Sequence, residues 1–165
     1  MSPFSIRSRV IAETRGDIRT AVHARSSTRK RGSMWKYEQS TGRLFDDAGA
    51  LVATGYSGFG ADRNQPADES VANLGPIPAG QYSIGTPECV KAPGPHGPYV
   101  LRLTPAPTNN MFGRDGFLIH GDSVEHPGTA SHGCIIMPRE IREAIAQSND
   151  HDLNVVAGEP ATLST

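Results

Sequence analysis

Sixteen residues, HGDSVEHPGTASHGCI from His120 to Ile135, hold three histidines (His120, His126, His132), Asp122 and one of the chain's two cysteines, Cys134. Two chemistries use such a set. In the first, Cys134 is a nucleophile. A free thiol is only a few per cent thiolate at neutral pH, so it needs an imidazole within hydrogen-bond reach. His120 ends one apolar run, GFLIH, and Cys134 opens another, CIIM. If the two runs are strands lying side by side, the loop between them returns the thiol to the imidazole. Gly133 lets the backbone turn tightly before the nucleophile, and the N–H groups of Gly133 and Cys134 are candidate donors to an oxyanion. Ser131 and His132 stand where they could orient the imidazole or touch substrate. In the second chemistry, three of His120, Asp122, His126, His132 and Cys134 hold a zinc ion, as in a metal-dependent peptidase. The stretch has neither a Cys-x-x-Cys pair nor His-Glu-x-x-His, so neither a metal nor any other cofactor is expected. A third reading makes Cys134 a small buried apolar group in a non-catalytic binding module.

The elements that must position these residues are short strands. MWKYEQS, from Met34, alternates Trp35, Tyr37 and Gln39 against Met34, Lys36 and Glu38, and a Thr-Gly turn follows. LFDDAGALVATGYSG reads as a hairpin of short arms around Asp-Ala-Gly. Residues 59–75 are polar and aperiodic, the mark of a long surface loop, and such loops often carry function. GPIPAGQYSIG places a Pro/Gly turn before a strand at Gln81 to Ile84. YVLRLTP and GFLIHG are further strands, CIIM a short apolar one, and LNVVAG the last. Between the last two, PREIREAIAQS predicts a helix over about 138–148, with proline in its first turn and Ile141 and Ile145 on one face.

A chain of 165 residues has room for one domain, and its 18 glycines and 13 prolines favour many short strands joined by turns. Charge is divided unevenly. Residues 1–33 carry eight Lys/Arg and two acids, whereas residues 34–165 carry eight Lys/Arg and fifteen acids. The acidic body excludes nucleic acid as its partner, and no apolar run is long enough to span a membrane. The basic, Ser/Thr-rich segment 1–33 lacks the apolar centre of a secretory signal and reads as a disordered extension of a domain over 34–165. Cys89 and Cys134 are too few for a disulfide framework, and a bridge between them would silence Cys134 as a thiol.

IHGDS…ASHGCIIM resembles the signature of the L,D-transpeptidases with a YkuD-like catalytic domain: a His-Gly at one strand end, a loop, then Ser-His-Gly-Cys opening the next strand. GPIPAGQYSIG is similar to the turn and strand that precede this signature. MWKYEQSTGRLF, LVATGYSGFG, GPYVLRLTP, FGRDGFLIHGDS and HPGTASHGCIIMP resemble a smaller branch, the L,D-transpeptidase-like antibacterial effectors of type VI secretion. The similarity runs from Met34 to about Val156.

The resemblance implies a β-sandwich or barrel of short strands that acts on tetrapeptide stems of peptidoglycan. Cys134 matches the nucleophile and His120 the general base, with Ser131, His132 and Gly133 completing the motif, although His132 is not required by the resemblance. The reaction it implies is attack on the meso-diaminopimelate–D-alanine bond, followed by hydrolysis (L,D-carboxypeptidase) or exchange for another D-amino acid (L,D-transpeptidase). Since this substrate carries several carboxylates, Arg102, Arg114 and Arg139 are candidates to bind it. Tyr56 is placed to line the cleft, and Asp122 and Ser123 to hold the loop after His120. The resemblance also implies a cognate immunity protein. Without a signal peptide, the chain is expected to be made in the cytoplasm, exported by the type VI apparatus, and active in the periplasm of target bacteria.

Overall fold

The structure, a computed structural model, describes residues 34–88 and 97–158. The expected tail at 1–33 and the state of Cys89 lie outside the described residues. The stretches read as strands are strands, and the second arm of the expected hairpin is split in two at Gly55: β1 (Trp35–Glu38), β2 (Arg43–Phe45), β3 (Leu51–Thr54), β4 (Tyr56–Ser57), β5 (Gly80–Glu88), β6 (Val100–Pro105), β7 (Leu118–His120), β8 (Ile135–Ile136) and β9 (Asp152–Val156). α1 (Arg139–Gln147) is the only α-helix among the described residues, with Pro138 as its N-cap. β5 runs four residues past the end expected at Ile84. A bulge between Ile84 and Pro87 absorbs the Gly-Thr pair, and the ladder with β6 resumes at Pro87 opposite Leu101.

All nine strands form one sheet in the order β3-β2-β1-β9-β5-β6-β7-β8-β4. Its two edge strands, β3 and β4, are consecutive in the chain and separated by Gly55 alone, so the sheet curls until its edges meet as a nearly closed barrel. Gly55 makes this corner. Its N–H donates to the Gly42 carbonyl at 2.8 Å, and a Cβ there would lie 1.9 Å from the Ile136 carbonyl oxygen. The core fills the inside with Tyr37, Leu44, Leu101, Ile119, Ile135 and Leu153, each at most 1% exposed. α1 packs on β6 and β7 through the fully buried Ile145.

Residues 59–75 form the expected loop, with two short 3-10 turns at Gly60–Asp62 and Pro66–Asp68. It is latched from below. Gln39 Nε2 donates to Glu69 Oε2 at 2.9 Å and to the Ile77 carbonyl at 2.7 Å, and Glu69 Oε2 also accepts the Ala79 amide at 2.8 Å. No helix among the described residues is long and apolar enough to cross a membrane.

Candidate active site

β7 and β8 lie side by side and parallel, with Ile119 opposite Ile135 and His120 opposite Ile136. Side chains alternate across a strand, so Ile119 and Ile135 share the core face and His120 and Ile136 the other. Cys134 stands two residues before Ile136 and falls on the His120 side. β4 runs antiparallel to β8 with Tyr56 opposite Ile136, which adds Tyr56 to the same face. The loop from Gly121 to Gly133 thus returns the cysteine to the strand that ends in the histidine.

His120 is fully buried. Its Nδ1 lies 2.8 Å from the Gly121 carbonyl oxygen. A carbonyl can only accept, so Nδ1 carries the hydrogen, and in the neutral ring Nε2 is the basic nitrogen. Burial pushes the Cys134 thiol up from its ordinary value; a hydrogen bond from the Leu118 amide and the positive charge of Arg114 act in the opposite direction. Burial thus favours the neutral form of the thiol.

The turn before Cys134 is held by two buried serines. Ser131 Oγ donates to the Cys134 carbonyl at 2.6 Å and accepts the amides of Gly58 (2.8 Å) and Gly133 (3.1 Å). Ser57 Oγ donates to the Gly133 carbonyl at 2.9 Å and accepts the Ile77 amide at 2.8 Å. The Gly133 N–H, expected as an oxyanion donor, is thus bonded to Ser131, because that hydroxyl points into the turn. Gly133 itself has φ +124°, in the region that favours glycine, and a Cβ there would lie 2.3 Å from Arg114 Nη2 and 3.1 Å from the Phe117 ring.

The three candidate arginines stand in different surroundings. Arg102 is exposed and paired with Glu88 at 3.1 Å, and its place opposite Leu118 puts it on the same side of the sheet as His120. Arg114 is buried at 9% exposure. It donates to three backbone carbonyls, Glu69, Pro76 (2.7 Å) and Gly75 (2.9 Å), and packs 5.2 Å over the Phe117 ring. It pins the 69–76 loop against the turn at Gly133. Arg139 is exposed, paired with Glu143 at 2.6 Å and lying 4.4 Å over the Tyr99 ring. Arg142, passed over in the sequence, is only 5% exposed. Its position three residues before Ile145, on the helix stripe that faces the core, was the available signal.

Tyr56 and Asp122 hold one another. The Tyr56 hydroxyl donates to Asp122 Oδ1 at 2.6 Å and accepts the Ala130 amide at 3.1 Å. Burial and then Asp122 push the tyrosine up to about 12. Burial opposes ionisation of Asp122, but hydrogen bonds from Tyr56 and from the amides of Gly128 and Ser123 prevail and keep its carboxyl below the ordinary value. Ser123 Oγ accepts the His126 amide at 3.0 Å. These contacts stiffen the 121–130 loop. His132 is exposed, stacked on Phe59 at 5.5 Å, with Nδ1 3.0 Å from the Asn73 carbonyl. Among the described residues no three His, Cys, Asp or Glu side chains gather as a metal-binding group. The histidine cluster of the metallopeptidase alternative is not assembled there: His120 is buried, whereas His126 and His132 are exposed on the loop.

Two hollows are lined by residues near His120 and Cys134 in sequence, although neither of those two lines them. One of about 210 Å³ is lined by His132, Arg114, Phe117 and Asn73. The other, of about 430 Å³, is lined by Tyr56, Gly121, Asp122, Ile136, Arg139 and Arg142 among others. No curated protein and no solved structure matches the chain. A family model described as the Tlde1 domain matches residues 52–158, from β3 through β9, and so covers the whole thiol–imidazole face. With a match over more than half its length, the chain belongs to the Tlde1 domain family, the L,D-transpeptidase-type antibacterial effectors of type VI secretion.

Proposed function

We propose that the domain over 34–165 is a cysteine-dependent L,D-transpeptidase or L,D-carboxypeptidase that acts on peptidoglycan tetrapeptide stems in the periplasm of target bacteria. The observation that carries this reading is the β7–β8 register, with His120 and Cys134 on one face and the imidazole held by Gly121 so that Nε2 is its base. In the first step Nε2 takes the thiol proton as sulfur attacks the carbonyl at the L-centre of meso-diaminopimelate. The tetrahedral intermediate collapses to a Cys134 thioester, and His120 returns the proton to the departing D-alanine amine. Water, deprotonated by the same nitrogen, then releases a tripeptide acid; the amine of a free D-amino acid instead forms a new amide. Either route regenerates the thiol. Ser131 and Gly133 set the turn that presents the sulfur, and His132 borders the approach. A cell that makes such an enzyme needs an immunity protein, and the thiol face is the surface for it to cover.

The test is incubation of the purified protein with disaccharide-tetrapeptide, with and without D-methionine, read by mass spectrometry beside Cys134→Ala and His120→Ala. Loss of D-alanine by the wild type alone is expected. An intact tetrapeptide in every lane, from protein shown to be folded, would replace the enzyme with a binding module.

A further inference from the structure

The tautomer of His120 depends on a single peptide unit. The carbonyl end of that unit is Gly121 O, 2.8 Å from His120 Nδ1, and its N–H end is the amide of Asp122. A carbonyl at Nδ1 obliges that nitrogen to carry the hydrogen and leaves Nε2 basic. An N–H in the same place would oblige Nδ1 to accept and would move the hydrogen to Nε2. The unit is trans, so its two ends point in opposite directions and turning it over exchanges them. The turn changes only ψ of Gly121 and φ of Asp122. Glycine adjusts freely, and aspartate is one of the few residues that tolerate the positive φ of the inverted unit. Asp122 does not have a positive φ in the structure. The local sequence thus permits both orientations, and contacts from elsewhere must select one.

Those contacts gather on the Asp122 side chain. Tyr56 stands in one cross-strand row with Ile136 and His120, two strand spacings or about 10 Å from the histidine. From there its hydroxyl reaches Asp122 Oδ1 at 2.6 Å. The same oxygen accepts the Ser123 amide and Oδ2 accepts the Gly128 amide, each at 2.8 Å. The Tyr56 hydroxyl is in turn fixed by the Ala130 amide at 3.1 Å. With the carboxyl below its ordinary range and the phenol up at about 12, the pair forms a charge-assisted bond at neutral pH, in which the phenol donates. We propose that Tyr56 and Asp122 are positioning residues for His120: they hold the Gly121–Asp122 peptide with its carbonyl against Nδ1 and so keep the imidazole in the tautomer whose Nε2 is the base. The inference rests on the thiol mechanism above, and neither residue moves a proton in it.

The experiment reads the His120 tautomer by nitrogen NMR of the full chain with isotope-labelled histidine, using His120→Ala to identify its signals among the six histidines. Beside it, kcat and KM are measured for release of D-alanine from disaccharide-tetrapeptide. Wild type should carry the hydrogen on Nδ1. Tyr56→Phe and Asp122→Ala should each shift it toward Nε2 and lower kcat by about 10- to 100-fold, the scale on which partners that orient an active imidazole act, with KM unchanged. Asp122→Asn keeps an acceptor for the phenol and should recover part of both. The double variant should lose no more than Asp122→Ala alone, since the two residues act through one peptide. Thr129→Val breaks another bond of the same loop, to the His126 carbonyl, and should leave tautomer and rate as in the wild type. A hydrogen that stays on Nδ1 in both Tyr56→Phe and Asp122→Ala overturns the positioning role whatever the rates do; if KM has then risen, the two side chains bind substrate instead. A wild type with its hydrogen on Nε2 overturns the role without any substitution, so the test stands even if a variant does not fold. A wild type with the expected tautomer that releases no D-alanine sinks the thiol mechanism, and the positioning role falls with it.

Discussion

Replacing Arg114 with methionine separates its two roles. The guanidinium joins three carbonyls across the 69–76 loop, two of them through buried bonds, to Pro76 and Gly75. Methionine keeps the stem against Phe117 but leaves those two carbonyls unmatched, at about 1–3 kcal/mol each. Against this, a buried cation without a carboxylate partner carries a desolvation cost that the substitution relieves. The carbonyls prevail in part, and the net loss should be about 2–4 kcal/mol. For a domain of this size that lowers the melting temperature by about 10 °C. The second role concerns Cys134, on which the Arg114 charge acts to favour the thiolate. Its removal should raise the thiol pKa further and slow alkylation by iodoacetamide at pH 8. Arg114→Lys separates the effects: it returns a positive charge but not a three-way fork, so alkylation should recover more fully than stability. Calorimetry and alkylation kinetics, both in a Cys89→Ser background so that only Cys134 reports, measure the two. A methionine variant that melts with the parent would refute the loop-pinning role; one that alkylates faster would refute the charge effect.

Three further outcomes follow from the same geometry. Ser131→Ala removes one acceptor for two amides and one donor to the Cys134 carbonyl, and should cost about 2–4 kcal/mol in urea denaturation; an unchanged midpoint would show that the turn holds itself. The pH dependence of Cys134 alkylation should have its midpoint above the ordinary thiol value of about 8.5, and the urea-unfolded chain should titrate at that value. A folded pKa above the unfolded one means that this group favours folding below the unfolded pKa and loses that contribution as pH rises through the folded pKa. A folded midpoint below the unfolded one would show that Arg114 and the Leu118 amide outweigh burial. Tyr37→Phe should keep or raise the melting temperature, because the Tyr37 hydroxyl is buried with no hydrogen-bond partner among the described residues, and a clear fall would reveal a partner.

The order of strands along the chain was legible because each is a short alternating or apolar run between Gly/Pro turns, and the pairing of the GFLIH and CIIM runs followed from what the chemistry requires of them. Barrel closure was legible only through the resemblance, not from the residues themselves. It depends on Gly55 fitting between two backbones, a contact with no signature in composition or periodicity. The full extent of β5 was hidden for a similar reason, since Gly85 and Pro87 read as a strand end and only a bulge reconciles them with the ladder. The partners of the arginines were not legible either. Arg102, Arg114 and Arg142 differ in nothing local that fixes their acceptors: one meets a surface glutamate, and the other two donate to backbone carbonyls far away in sequence.

Much of the polarity that singles out residues 120–134 holds the segment in place. Asp122 and Ser123 brace the loop, Ser131 the turn, and His132 the edge of the 59–75 region. The reason lies in β8, which has only two residues of ladder between β7 and β4. So short a strand cannot fix the chain before it through backbone bonds, whereas the proposed nucleophile would have to be held to a fraction of an ångström against its base. Side-chain hydrogen bonds supply the stiffness that the ladder lacks, and they are concentrated immediately before the cysteine. A stretch this dense in His, Ser and Asp is therefore as much a measure of how little sheet surrounds the thiol as of how much chemistry it performs.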